Sequence, residues 1–290
     1  MNTPLFRIYS RIILWCYRLA NSTNLLARLV LNVIENTLCL ASVLLSKGKR
    51  IKFPSRTLGS RFWVCQWRVE YLMGWWEYET TPWVRKYVRP GMTVVDIGAH
   101  IGYYTDLFSR LVQSHGKVYA FEASPENYPI LVNNMDARRR YNVIAIDRAV
   151  SDQNTVQDLY VSPGHSNHSL VEGRSNETQG KIPIQAVRLE DYLTVDKIDF
   201  IKMDVEGAEP RVLEGMRKLI KSSPNLVMVV EYNQIVLSKA YSSPQILLNT
   251  LSDLGFEYKA ILEDGSLGDI PSDTKTINLL CIRKTAKVSY

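Results

Sequence analysis

From residue 93 onward, short apolar runs alternate with longer segments in which apolar residues recur at helical spacing. Short apolar runs bounded by turn residues are typical of buried strands, and the longer segments are typical of amphipathic helices. The predicted strands are the run from Val94 into Asp96 and residues 118–121, 142–146, 198–203, 226–230, 256–262 and 276–283. Strands and helices in this order predict an α/β fold built on a mostly parallel sheet.

The segment between the third and fourth predicted strands departs from this alternation. Residues 156–161 alternate between apolar and polar side chains, which predicts an inserted hairpin strand. Residues 162–180 are polar and lack periodicity, as is typical of functional or mobile loops. Residues 214–220 are predicted to lie in the helix that joins the fourth and fifth strands.

A glycine turn follows the first strand in the sequence D-I-G-A-H-I-G. Gly98 and Gly102 lie where the strand is expected to pass into a helix, and glycine there lets a ligand approach the main chain closely. Ligands of open α/β sheets bind at the carboxyl ends of the strands, beside such turns. The second strand ends at Glu122, whose carboxylate is placed to accept hydrogen bonds from both hydroxyls of a ribose. The pattern therefore predicts a pocket for an adenosine.

The turn favours S-adenosylmethionine over a nicotinamide dinucleotide. In the dinucleotide fingerprint G-x-G-x-x-G, the second and third glycines would fall at His100 and Tyr103. Asp96 would repel a phosphate group but suits the ammonium group of a methionine moiety. Ala149, in the segment R-A-V-S-D after the third strand, is expected to meet the adenine ring through backbone groups. The predicted cofactor-binding residues are Asp96, Gly98, His100, Gly102, Glu122 and Ala149.

Three blocks of sequence together resemble the FkbM family of methyltransferases: residues 96–105, 121–125 and 201–209. The third block contains D-V-E-G-A-E at the end of a strand, which is the most specific of the three, and the likeness runs from about residue 77 to about residue 231. His100 departs from the pattern, because the family usually has asparagine there. The resemblance implies a Rossmann-like class I methyltransferase fold, with a seven-stranded sheet covered by helices on both faces. It also implies methyl transfer to a hydroxyl, often on a sugar or a glycosylated natural product.

Acidic residues at the strand ends are the candidates for catalysis. A sugar hydroxyl becomes a good nucleophile when a general base or a metal acts on its proton. Asp204 follows the fourth strand and Glu231 ends the fifth, so either carboxylate is a candidate base. Alternatively, these two residues and Asn233 hold a magnesium ion, which prefers oxygen ligands. His165, in the sequence G-H-S-N-H-S, is a third candidate base because the pKa of histidine lies near neutrality.

Two further acids, Glu206 and Glu209, follow the fourth strand closely. Acidic side chains in this position often cap the helix that follows, where they interact with its N-terminal dipole. Pro210 suits the first turn of such a helix, so we expect Glu209 to have this structural role.

The positive charge of the chain is concentrated at its N-terminus. Residues 1–50 contain seven basic residues and one acid, an excess of six that equals the net charge of the whole chain. The remaining residues carry no net charge, which argues against a nucleic-acid partner. Residues 1–50 are predicted to form a basic, amphipathic helical arm that is too interrupted by polar residues to span a membrane. Three roles are open for its segment 5–45: contact with a membrane surface, packing on the catalytic domain, or pairing of two subunits in a homo-oligomer.

Residues 51–92 are predicted to form an aromatic-rich lid or linker, and residues 93–290 to form the methyltransferase domain. Trp75 and Trp76 are the lid residues best placed to contact a ligand, since indole rings bind sugars and cations.

Four scattered cysteines without a C-x-x-C pair indicate neither a zinc site nor a disulfide framework, as expected of a cytoplasmic protein. A hydrophobic fraction of 46% and a charged fraction of 22% are those of a globular protein.

The predicted function is S-adenosylmethionine-dependent O-methylation of a glycan, a glycolipid or a related metabolite. A non-catalytic nucleoside-binding module of a membrane-associated assembly is the first alternative. An oxidoreductase that uses a nicotinamide dinucleotide is the weaker one, because the glycine pattern does not fit it.

Overall fold

The computed structural model describes residues 51–54, 61–64, 77–162, 168–172 and 180–283. The chain divides into two compact units, residues 1–76 and 77–290. In the first unit, β1 (Ile51–Pro54) pairs with β2 (Arg61–Val64) as an antiparallel hairpin. The predicted arm, Trp75 and Trp76, and His165 lie outside the described residues. Among the helices of the described ranges, none has the length and apolar character that crossing a bilayer requires.

The second unit contains the remaining helices and strands. Its helices are α1 (Thr81–Tyr87), α2 (Tyr103–Val112), α3 (Tyr128–Ala137), α4 (Leu189–Tyr192), α5 (Glu209–Glu214), α6 (Arg217–Ser222), α7 (Gln234–Tyr241) and α8 (Gln245–Asp253). Its strands are β3 (Thr93–Ile97), β4 (Lys117–Phe121), β5 (Val143–Ile146), β6 (Ala149–Val150), β7 (Thr155–Tyr160), β8 (Lys181–Val187), β9 (Phe200–Met203), β10 (Val227–Asn233), β11 (Phe256–Ile261), β12 (Leu267–Gly268) and β13 (Thr276–Arg283).

The main sheet has the strand order β12-β11-β13-β10-β9-β3-β4-β5. The five strands from β10 to β5 in this order are parallel, and β13 lies antiparallel between β10 and β11. The predicted Rossmann-like class I methyltransferase fold is confirmed, with all seven predicted strands present. The two-residue strand β12 extends the sheet to eight strands.

Helices lie on both faces of this sheet because the chain adds strands first on one side of β3 and later on its other side. The crossovers from β3 through β4 to β5 run one way along the sheet, and the crossover from β9 to β10 runs the opposite way. Parallel crossovers are right-handed, so the two sets of helices cover opposite faces. Phe108 of α2 packs against Phe200 of β9 with 5.6 Å between ring centres, and both rings are fully buried.

A second, three-stranded sheet has the order β6-β8-β7. The predicted hairpin strand at 156–161 is confirmed as β7, which pairs with β8 in antiparallel register. Sequence reasoning did not predict β8. Much of this strand is exposed or half-buried, so it lacks the apolar run that marks a buried strand.

The predicted helix across residues 214–220 is wrong in one respect, because the chain breaks into α5 and α6 at Gly215. A Cβ atom on Gly215 would lie 1.9 Å from the carbonyl oxygen of Ser151. The break therefore lets the backbone pass close to the end of β6, a contact between distant parts of the chain.

Candidate active site at the carboxyl ends of the strands

The turn after β3 has the left-handed backbone that glycine permits. Gly98 has a φ angle of +82° and Gly102 a φ angle of +90°. The N–H groups of Gly98 and Ala99 both donate to the carbonyl oxygen of Phe121, over 3.0 and 2.9 Å. These bonds hold the turn against the end of β4, beside Glu122.

Gly98 also lies against the backbone of β9's carboxyl end. A Cβ atom at this position would be 1.9 Å from the carbonyl oxygen of Asp204. The N–H of Asp204 donates to the carbonyl oxygen of Ile97 over 3.0 Å, which joins the two strand ends directly. Three neighbouring strand ends, those of β4, β3 and β9, therefore meet at this glycine turn.

Glu122 binds the turn with its side chain. One carboxylate oxygen accepts the N–H of His100 over 2.7 Å, and the other accepts the N–H of Ser124 over 2.9 Å. Burial raises the pKa of Glu122 to about 7, although the backbone N–H groups of Ser124 and His100 act to lower it. The Asn127 side chain also donates to this carboxylate, so about one of its four lone pairs is left to accept a hydrogen bond from a ligand hydroxyl.

Asp96 lies at the end of β3 and is 2% exposed. The Thr105 hydroxyl donates to its carboxylate over 2.6 Å, and burial raises the pKa of Asp96 to about 6. Asp96 and Glu122 thus lie buried at the ends of adjacent strands, and their role in a nucleoside pocket stays a prediction.

A row of polar side chains crosses one face of the sheet. Asp96 is opposite Lys202, Lys202 is opposite Val229, and Glu231 is opposite Asn278. Because side chains alternate between faces along a strand, Asp96, Lys202, Glu231 and Asn278 point to the same side of the sheet.

Lys202 places a buried ammonium group in this row. Its side chain is 3% exposed, and its Nζ lies 3.3 Å from Asp204 Oδ2 and 3.7 Å from Glu77 Oε1. The same atom lies 5.3 Å from the centre of the Tyr104 ring. Burial alone would lower the pKa of Lys202, but the carboxylates of Glu77 and Asp204 outweigh burial and raise it. The sequence analysis missed Lys202; its one local signal is a lysine inside an apolar strand.

Glu77 reaches this face from the segment before α1. Its Oε2 accepts hydrogen bonds from the Tyr104 hydroxyl over 2.9 Å and from Asn278 Nδ2 over 3.0 Å. Burial raises the pKa of Glu77. Sequence reasoning did not single out Glu77, because nothing in its local pattern places it beside β9 and β13.

Asp204, Glu206 and Glu231 bring three carboxylates together. Each offers an oxygen, and these oxygens lie within 4.8 Å of one another. Burial raises the pKa of Glu231 well above its usual value, and the negative charges of Asp204 and Glu206 add to this effect. Among the described residues, no group bonds to the buried Oε2 of Glu231. Such a group is chemically suited to accept a proton, and the trio is also suited to hold a divalent cation.

Asn233, the third residue of the magnesium hypothesis, has a structural role, and its binding of a metal stays a prediction. Its Oδ1 accepts the N–H of Val236 over 3.2 Å and caps the N-terminus of α7. Asparagine is a preferred residue at this position for that reason.

Glu209 is the first residue of α5, as expected, but its side chain binds the loop that precedes the helix. Its Oε1 accepts the N–H groups of Val205 and Gly207, each over 3.2 Å. The side chain is fully buried, and burial raises the pKa of Glu209 to about 7.

We expect Glu209→Gln to weaken the pH dependence of stability. A carboxyl group with a raised pKa in the folded state stabilises the fold at low pH, and this contribution is lost as the pH rises through about 7. The neutral amide of glutamine does not titrate. Urea unfolding measures the free energy of unfolding at each pH. Between pH 5 and 8 this free energy should decrease by about 3 kcal/mol less in the variant than in the wild type. The exposed Glu257→Gln should keep the wild-type slope, and an unchanged slope in Glu209→Gln would contradict the assignment.

Two candidate site residues, Ala149 and His165, are not part of the carboxylate trio or the glycine turn. Ala149 is buried in β6 and pairs with Ala186 of β8, and its contact with adenine stays a prediction. His165 lies outside the described residues. Its neighbour in the motif, His168, accepts the N–H of Ser162 at Nδ1 over 3.2 Å.

Residues 96–258 match the family described as the methyltransferase FkbM domain, and this range is more than half of the chain. The chain belongs to the FkbM methyltransferase family. The matched range includes the glycine turn, Glu122, Lys202 and the carboxylate trio, so the geometry above is that of an FkbM domain.

The chain is similar to 2-O-methyltransferase NoeI of Sinorhizobium fredii, with 26% identity over 63% of this chain and 79% of that protein. It is also 26% identical to the hexuronic acid methyltransferase AglP of Haloferax volcanii, over 56% of this chain and 64% of that protein, which is less than two thirds of its length. A solved FkbM methyltransferase of Methylobacillus flagellatus aligns with 86% of this chain and 60% of that one, at 14% identity and a TM-score of 0.43.

His100 stands where the resemblance to the family led us to expect asparagine. The contact to Glu122 is made by the backbone N–H of His100, and the residue has a left-handed φ angle of +51°. Asparagine adopts this conformation more readily than most residues. The hydrogen bond therefore does not require an asparagine side chain.

Proposed function

We propose that this FkbM protein transfers a methyl group from S-adenosylmethionine to a hydroxyl of a glycan, a glycolipid or a related metabolite. The observation that carries the proposal is the Glu122 carboxylate, which is bonded to the glycine turn through the N–H of His100 and lies one strand from Asp96. NoeI and AglP are named as a 2-O-methyltransferase and a hexuronic acid methyltransferase, which supports the choice of a sugar-type acceptor.

The residues present fit the cofactor. The acceptor capacity that Glu122 retains suits a ribose hydroxyl, and the buried Asp96 suits the ammonium group of the methionine moiety. Gly98 and Gly102 support the site indirectly, because they allow the left-handed turn to pack closely: a Cβ atom on Gly98 would meet the carbonyl oxygen of Asp204, and one on Gly102 would meet Leu131. In this proposal, the backbone around Ala149 meets the adenine ring.

Glu231 is the proposed proton acceptor for the hydroxyl of the acceptor substrate. The bound cofactor supplies an electrophilic methyl group, so the protein has to align an oxygen with it and remove a proton. The raised pKa of Glu231 makes its carboxylate a stronger base than an exposed glutamate. Asp204, beside Lys202, lies at the end of the adjacent strand and helps to orient the hydroxyl.

Isothermal titration with S-adenosylhomocysteine and, separately, with NAD tests the cofactor. We expect binding of the former and none of the latter. In Glu122→Gln, one backbone N–H would face an amide N–H₂ group, so the affinity should fall by about 1.5–3 kcal/mol, or roughly 10- to 100-fold in Kd. Glu257→Gln, an exposed substitution of the same chemistry on β11, should bind as the wild type does.

Transfer from methyl-labelled cofactor to glycan and glycolipid extracts then tests the reaction. Labelled product that appears with the wild type and is lost in Glu122→Gln supports the proposal. Tight binding of S-adenosylhomocysteine without transfer to any extract would instead indicate a non-catalytic nucleoside-binding module. Binding of NAD in its place would indicate an oxidoreductase.

A further inference from the structure

The ammonium group of Lys202 is buried but loosely bound by its neighbours. It has three N–H donors. The described residues provide one hydrogen bond, to Asp204 over 3.3 Å, and one ion pair, to Glu77 over 3.7 Å. Charge-assisted hydrogen bonds are typically about 2.7–2.9 Å long, so both contacts are long. A buried ammonium group of this kind has the donor capacity to bind a ligand anion.

Lys202 lies next to Asp96 on the same face of the sheet. The two residues are register partners on the parallel strands β3 and β9, whose backbones lie about 4.8 Å apart. Each residue stabilises the charged form of the other: Lys202 acts to lower the pKa of Asp96, and Asp96 acts to raise the pKa of Lys202. An acid and a base side by side are complementary to a ligand group that carries both charges.

The amino-acid head of S-adenosylmethionine is such a group, with an ammonium and a carboxylate on one carbon atom. Asp96 is assigned to the ammonium in the proposed function, which leaves the carboxylate without a partner. Among the described residues, the buried basic side chains are those of Lys202 and Arg138. Arg138 binds Asp106 over 3.1 Å, away from the polar row, so Lys202 is the buried cation on this face.

We infer that Lys202 binds the carboxylate of the cofactor's amino-acid head, while Asp96 on the neighbouring strand binds its ammonium group. Tyr104 and Glu77 also contact the ammonium group of Lys202 and help to hold its side chain in place. The inference rests on the proposed function, because it concerns the same cofactor. It adds an anion-binding residue to a site that sequence reasoning described through its acids alone.

A pair of ligands tests this assignment by calorimetry. S-adenosylhomocysteine carries the carboxylate, and its decarboxylated analogue keeps the ammonium, the sulfur and the adenosine but lacks the carboxylate. We expect the wild type to bind S-adenosylhomocysteine at least tenfold more tightly than the analogue. In Lys202→Met this preference should shrink to less than threefold, mainly through weaker binding of S-adenosylhomocysteine.

Lys197→Met is the matched control, because Lys197 precedes the same strand but its side chain is 64% exposed. It should keep the full preference of the wild type. Should Lys202→Met fail to fold, the wild-type comparison still decides, since equal affinity for the two ligands would overturn the assignment. A preference that survives in folded Lys202→Met would also overturn it. If the wild type binds neither ligand, the proposed function itself fails, and this inference fails with it.

Discussion

Gly98→Ala is expected to destabilise the fold by about 2–5 kcal/mol, through left-handed backbone strain and steric overlap at a packed site. Gly98 has a φ angle of +82°, and the new Cβ would lie 1.9 Å from the carbonyl oxygen of Asp204. That oxygen belongs to the backbone at the end of β9, so the overlap cannot be relieved by rotating a side chain. Either the turn moves or the strand end moves, and both carry residues of the proposed site.

Gly91→Ala separates the two causes. Gly91 has nearly the same backbone angle, +84°, but a Cβ there would meet nothing within 4 Å. Gly91→Ala should therefore lower the free energy of unfolding only through backbone strain, by about 1–2 kcal/mol. Urea unfolding of both variants measures the difference, and titration with S-adenosylhomocysteine should show weaker binding in Gly98→Ala alone. Equal stability of the two variants would show that the contact with Asp204 does not constrain the turn.

Glu231→Gln is expected to lower kcat by roughly 10²- to 10⁴-fold, the range typical for loss of a general base. Glutamine has nearly the same shape but cannot accept the proton of the hydroxyl. Because the variant keeps Asp96 and Glu122, the residues proposed to bind the cofactor, its affinity for S-adenosylhomocysteine should stay within threefold of the wild type. The measurement is the rate of labelled methyl transfer at saturating cofactor, with an acceptor identified in the extracts.

The pH profile of the wild type gives an independent check of the same residue. Burial and the charge of Asp204 raise the pKa of Glu231, so activity should fall with decreasing pH at values above those of ordinary carboxyl groups. Glu257→Gln should leave both rate and profile unchanged. Full activity of Glu231→Gln would exclude it as the base. Loss of wild-type activity on chelation, restored by magnesium, would instead assign the carboxylate trio to a divalent cation.

Much of the fold followed from local patterns. Apolar runs such as that of β4 and the alternating segment of β7 carry their own periodicity, so each strand could be recognised without knowledge of its neighbours. The positions of Asp96 and Glu122 followed in the same way, because each acid lies at or just beyond the end of an apolar run. Their closeness then follows from the general rule that consecutive parallel strands end at the same edge of a sheet.

Contacts between residues that are distant in sequence could not be predicted from local patterns. The polar row joins Lys202 and Glu231 to Glu77 and Asn278, residues that lie far apart along the chain. Asn278 faces Glu231 only because β13 inserts antiparallel between β10 and β11. The break at Gly215 likewise depends on a close approach to Ser151.

The sequence by itself thus determined the seven long strands of the main sheet, the glycine turn and the acids at the strand ends, since periodicity and glycine chemistry are properties of neighbouring residues. Tertiary structure alone decided which charges share a buried face. The interaction of Lys202 with Glu77 depends on how the segment before α1 packs against β9, and its strength depends on exclusion of water from the face where the two residues meet.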